Sequence, residues 1–109
     1  MKRMLGLLGA LGLAAVAAAF LTFEKPFYAH YGVKDGSKID NMKCLPCHEK
    51  ITGGKLNPYG LDMQAEMKKQ STKRLTPSVL NAIDKMDSDK DGMANGEEVR
   101  KDRNPGAKS

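Results

Sequence analysis

After Lys2 and Arg3 the chain runs from Met4 to Phe23, MLGLLGALGLAAVAAAFLTF, and meets no charge until Glu24. This run decides how much chain is left to fold. A basic start before a long apolar stretch is an export signal or a membrane anchor, not part of a soluble core. The small residues of AVAAAF suit cleavage after Ala19; a second cut after Ala29 would put Phe27 at the −3 position, a poorer fit. The stretch also approaches the roughly 20 apolar residues that span a bilayer. Residues 1–23 therefore read as a signal peptide or an N-terminal membrane anchor. Either places the rest of the chain in the periplasm or another extracytoplasmic compartment.

What remains is on the order of 80–90 residues, a size at which apolar burial alone is marginal. Trp is absent, and two of the three Phe lie in or beside the leader. A disulfide, a metal or a large cofactor is expected to supply what the core lacks. The net charge of +5 includes Lys2 and Arg3, so the exported part carries about +3. That modest value points to no nucleic-acid partner.

Two helix starts are legible. Asn57-Pro58 and Thr76-Pro77 each pair a side-chain cap with proline at the first helical position. The first helix is predicted over about Pro58 to Gln70, with Tyr59, Met63 and Met67 on one face at i, i+4, i+8 spacing. The second is predicted over Pro77 to Met86, with Val79, Leu80, Ile83 and Met86 on one stripe. KDGSKIDN has turn composition, ITGGKLNPYG reads as a glycine-rich loop, and no segment has the period of a strand.

The only two cysteines stand in Cys44-Leu45-Pro46-Cys47-His48, beside one of only two histidines. C-x-x-C-H is the pattern of covalent haem attachment. Two thiols add to the vinyl groups, and the adjacent imidazole ligates the iron. One helical turn would present both sulfurs to one porphyrin edge. A thioredoxin-like pair needs a βαβ context and a longer chain. A disulfide here would close a tiny loop of little entropic value. A zinc site would have to find its fourth ligand in His30 or a carboxylate. Haem attachment through Cys44 and Cys47, with His48 as proximal iron ligand, agrees with the compartment and with the thin core.

The stretch FYAHYGV, then CLPCHEKITGG, then KLNPYGLDM resembles small exported bacterial monohaem c-type cytochromes. The matching positions are Tyr31-Gly32, Cys44 to His48, and Leu56-Asn57-Pro58-Tyr59-Gly60. The resemblance covers about Phe27 to Met63 and implies a small, mainly α, cytochrome c-like helical domain around one covalent haem.

The distal iron ligand is sought among His30 and the methionines outside the leader. His30, the only other imidazole, is the first choice and Met63 the second, with Met67 beside it. Tyr59 and Met67 are expected to pack the porphyrin, although a Met stripe at helical spacing is usually core. Two imidazoles would favour a low potential, a Met opposite His a higher one, and an open iron would allow ligand sensing or peroxide chemistry.

DSDKDGMANGEE matches the EF-hand loop pattern D-x-[DN]-x-[DN]-G-x5-E. Asp87, Asp89 and Asp91 take positions 1, 3 and 5, and Gly92 the sharp turn at 6. Met93 offers its carbonyl at 7, Asn95 a water-bridged contact at 9, and Glu98 a bidentate carboxylate at 12. Such hard oxygen donors suit Ca²⁺. Ala94 at position 8 and the early stop at Asn104-Pro105 depart from a full EF-hand. With its EE and NPG ending, the segment resembles the unpaired calcium loops of exported bacterial proteins. The plain alternative is a solvated acidic turn.

The expected organisation is a haem-binding region over 24–74 and a helix, calcium loop and short helix over 75–109. The expected function is one-electron transfer between redox proteins, such as other cytochromes or membrane oxidoreductases, with one haem c and one Ca²⁺ and no enzymatic step. A leader left uncleaved would add membrane contact, and a homo-oligomer is compatible with the chain. The alternatives are a haem-based sensor or minor peroxidase with an open iron, and a calcium-dependent assembly module. The basic group Lys68, Lys69, Lys73 and Arg74 reads as a solvated helix end or as a docking patch for an acidic redox partner.

Overall fold

The computed structural model describes residues 23–108. The apolar run up to residue 22 and the cut after Ala19 lie outside them. Among the described residues no helix is long and apolar enough to cross a membrane.

The chain is mainly helical. Helix α1 covers residues 23–31, and α2 spans Lys38–Met42. An antiparallel pair follows, β1 His48–Lys50 and β2 Gly53–Leu56, then α3 Pro58–Lys69, α4 Pro77–Asp84 and α5 Asn95–Arg100. Both sequence-predicted caps form. Asn57 Oδ1 accepts from Gly60 N at 2.9 Å, and Thr76 Oγ1 accepts from Val79 N at 3.2 Å.

Three local expectations are corrected. KDGSKIDN, read as a turn, holds α2, started by Ser37, whose hydroxyl accepts from Asp40 N at 3.2 Å. The glycine-rich loop after Cys47 is a hairpin pairing His48 with Leu56; it turns at Ile51 and Thr52 and enters β2 through Gly53 and Gly54 at φ of 103° and 81°, a region where glycine carries no Cβ penalty. Helix α4 stops at Asp84, so Met86 leaves the apolar stripe and stands 42% exposed.

One core draws on both expected regions. Phe27 of α1, Ile39 of α2, Tyr59 and Met63 of α3, Leu75, then Val79, Leu80 and Ile83 of α4 and Val99 of α5 are all buried together. Phe27 sits edge-on to Tyr31 with ring centroids 4.9 Å apart and to Tyr59 at 6.3 Å, arrangements the ring quadrupoles favour. Met67 and Met42 pack against this cluster from its rim. Buried residues of α1 to α5 thus gather into one apolar cluster.

Candidate functional site

Asp87, Asp89, Asp91 and Glu98 bring one carboxylate oxygen each to within 4.8 Å of one another, and so form a cluster that can hold a metal ion. Local backbone bonding shapes it. Gly92 N donates to Asp87 Oδ2 at 2.9 Å, Asp91 N to Asp89 Oδ1 at 3.2 Å, and Met93 N to Asp91 Oδ1 at 3.0 Å. Gly92 turns the chain at φ 95°.

Glu98, on α5, is fully buried, yet neither of its carboxylate oxygens has a hydrogen-bond partner; Asp89 Oδ2 is likewise orphaned. Burial, with Asp91 and Asp89 beside it, pushes the Glu98 carboxyl up to about 8. Burial also raises Asp89, whereas the Met93 backbone N–H holds Asp91 below its usual range. Buried polar atoms in native folds are nearly always satisfied, so three orphaned oxygens within this cluster fit a site that a cation could fill.

Asn95, placed at position 9 of the loop pattern, also braces the loop. Its amide donates to Ile83 O at 2.9 Å and Ser88 Oγ at 2.7 Å, and its Oδ1 accepts from Ser88 N at 3.1 Å. It braces the loop against the end of α4. Ser88 in turn donates to Asp62 Oδ2 of α3 at 2.6 Å, tying the loop to the preceding helix.

The second candidate site is the cysteine–histidine turn. Cys47 N and His48 N both donate to Cys44 O, at 3.2 and 2.9 Å, so the segment makes one helical turn. Both cysteines are free and half-buried. Burial, with the Cys44 thiol adding to it, pushes the Cys47 thiol up to about 12. That is the opposite of the depressed thiol a dithiol oxidoreductase needs. His48 Nδ1 lies 2.8 Å from Gly54 O in β2, which fixes the ring and, among the described residues, leaves Nε2 without a hydrogen-bond partner. Among the described residues the acidic loop forms a converging donor group, whereas Cys44, Cys47 and His48 do not meet at one point. A zinc-type arrangement of these three is therefore not built.

Asn57 clasps this turn. Its Nδ2 faces Leu45 O at 2.8 Å, Pro46 O at 3.0 Å and His48 O at 3.4 Å, while its backbone N donates to Cys47 O at 2.9 Å. Gly60, one turn into α3, lies so close to the Cys47 carbonyl that a Cβ there would collide with it.

The other expected haem residues have partners of their own. His30 Nε2 is paired with Asp84 Oδ2 at 2.8 Å. Asp84 Oδ1 accepts from the Tyr31 hydroxyl, which lies 3.0 Å from the Tyr59 hydroxyl. Burial, with Asp84 beside it, raises Tyr31 above its ordinary range, and burial with the Tyr31 contact raises Tyr59. Tyr59 and Met63 are core residues, and Met67 is half-buried at the core's rim.

Sequence reasoning missed Asp62, Asp84, Ser88, Asp102 and Asn104. Ser88, Asn104 and Asp62 stand inside stretches already singled out, but at positions to which those patterns give no role, and each of the five acts on a partner distant in sequence. Comparison with protein-family models, with curated proteins and with solved structures finds no match for this chain.

Proposed function

We propose that this chain is an exported monohaem c-type cytochrome that passes single electrons between redox proteins, with Ca²⁺ held in the 87–98 loop. The observation that carries the haem reading is the set His48, Cys44 and Cys47. The imidazole is locked through Nδ1 to Gly54 O with Nε2 free, in the manner of a metal-ligating histidine held by its other nitrogen. The two thiols stand on one backbone turn beside that imidazole, the pattern of covalent haem attachment. Haem c bound here would supply the one-electron couple. The chain's own part is to present the thiols on one turn, hold His48 through Gly54 and brace that turn with Asn57.

The calcium reading rests on Glu98, a buried carboxylate with two orphaned oxygens in an all-oxygen cluster. Hard donors at EF-hand spacing favour Ca²⁺ over softer metals.

A second reading, an open iron suited to ligand sensing or peroxide chemistry, is favoured by one observation. His30, the first choice for the distal side, has its Nε2 on Asp84, and Met63 lies in the core. Pyridine haemochrome analysis of protein exported from a host with cytochrome c maturation tests the haem: covalent haem lost in Cys44→Ala/Cys47→Ala supports it, and its absence in the parent refutes it. Carbon monoxide then separates the readings, since a reduced iron that ignores it is a six-coordinate electron carrier.

A further inference from the structure

The segment that leaves the acidic loop runs back to the cysteine–histidine turn. Arg103 N donates to Glu98 O at 2.8 Å, closing α5. Asp102, at φ 61°, then spreads its carboxylate over the start of α2: Oδ2 accepts from Lys38 N and Oδ1 from Ile39 N, each at 2.8 Å. Helix α2 ends at Met42, immediately before Lys43 and Cys44. Two residues beyond Asp102, Asn104 Nδ2 donates to Leu45 O at 3.2 Å, the same carbonyl that Asn57 holds. Pro105 is fully buried, and Gly106 lies so close to the Asn57 amide that a Cβ would overlap it. A second tie runs from Ser88 in the loop to Asp62 on α3, the helix whose Gly60 packs on the Cys47 carbonyl.

We propose that residues 101–106 form a strap through which a divalent cation in the 87–98 loop sets the geometry of the Cys44–His48 turn, with Asp102 and Asn104 as positioning residues. This rests on the cation reading of the loop and does not require haem. The cation neutralises the carboxylates around buried Glu98 and so fixes α5; fixing α5 aims Asp102 at α2 and Asn104 at Leu45. The coupling is reciprocal by linkage: whatever the cation does for the turn, the intact strap does for cation affinity.

Hydrogen–deuterium exchange on the full exported chain, with calcium and with a chelator, tests this. Chelation speeds exchange in both 87–98 and 38–48, each by about 5-fold or more. In Asp102→Ala, calcium still protects 87–98 but no longer 38–48, and calcium affinity by calorimetry falls by a factor similar to the one lost at the turn. Asn104→Ala removes a single hydrogen bond and gives the same pattern in weaker form, which keeps the test available if Asp102→Ala does not fold. Chelation that alters 87–98 alone overturns the strap and leaves the cation site standing. No calcium protection of 87–98 overturns the cation site, and the strap with it.

Discussion

His30 and Asp84, 54 positions apart, meet at 2.8 Å between Nε2 and Oδ2, with both side chains largely shielded from water. The pair joins α1 to the end of α4 and continues through Tyr31 to the Tyr59 hydroxyl. His30→Ala is expected to lower stability by about 1–3 kcal/mol in urea melts, the cost of stranding a buried acceptor. The visible spectrum of the haem-loaded protein is expected to stay unchanged. Loss of low-spin bands in that variant would instead assign His30 to the iron.

Glu98 gives a pH dependence with a definite sign. Its carboxyl stands at about 8 in the metal-free fold against an ordinary 4.5, so between those values the folded state holds more protons than the unfolded one. Metal-free protein should therefore lose stability as pH rises from about 4.5 to about 8. Calcium, which favours the charged carboxylate, should abolish that fall. Melting temperatures at pH 5 and pH 8, with chelator and with calcium, check both statements. Glu98→Gln should raise the chelated melting temperature at pH 8 and weaken calcium binding by at least about 10-fold.

Gly60 and Gly106 are positions where volume, not flexibility, decides. A Cβ at Gly60 meets the Cys47 carbonyl, and one at Gly106 meets the Asn57 amide. Each Ala variant should lose about 1–3 kcal/mol, as overpacking of a rigid contact does. Asn57→Ala should lose at least as much, since it gives up the α3 cap and the clasp on the turn together. Denaturant midpoints compare the three.

Phe27 constrains where a leader can be cut. Its ring is core, stacked edge-on to Tyr31 and near Tyr59. Cleavage after Ala29 would remove it, at about 3–5 kcal/mol by analogy with deletion of a buried aromatic. Intact mass of the exported protein should show a mature chain that begins before Phe27, and a variant trimmed to begin at His30 should melt markedly lower.

The parts of this fold legible in the sequence are those with local causes. Asn57-Pro58 and Thr76-Pro77 carry their caps within three residues, so α3 and α4 start where expected. Carboxylate spacing in 87–98 likewise foretold the cluster. Helix α2 was not legible: with only five residues it is too short to persist alone, and it leans on Asp102, 64 positions from Lys38. The hairpin was hidden because two glycines at positive φ look like any loop. The bracing of Ile83 and Ser88 by Asn95 was not legible, because the loop pattern marks only its ligand position. The pairing of His30 with Asp84 was not legible, since 54 positions separate them.

Asn104 holds Leu45 across 59 positions of chain, and that separation orders events in time. A chain that emerges amino-end first exposes Cys44 and Cys47 well before the residues that brace their turn have appeared. Until Asn104 has joined Leu45, the Cys44–His48 turn is held only by its own backbone bonds and by Asn57. Asn104, Pro105 and Gly106 thus close the turn from the far end of the described chain, and a chain cut short before them keeps the turn but loses its outer brace.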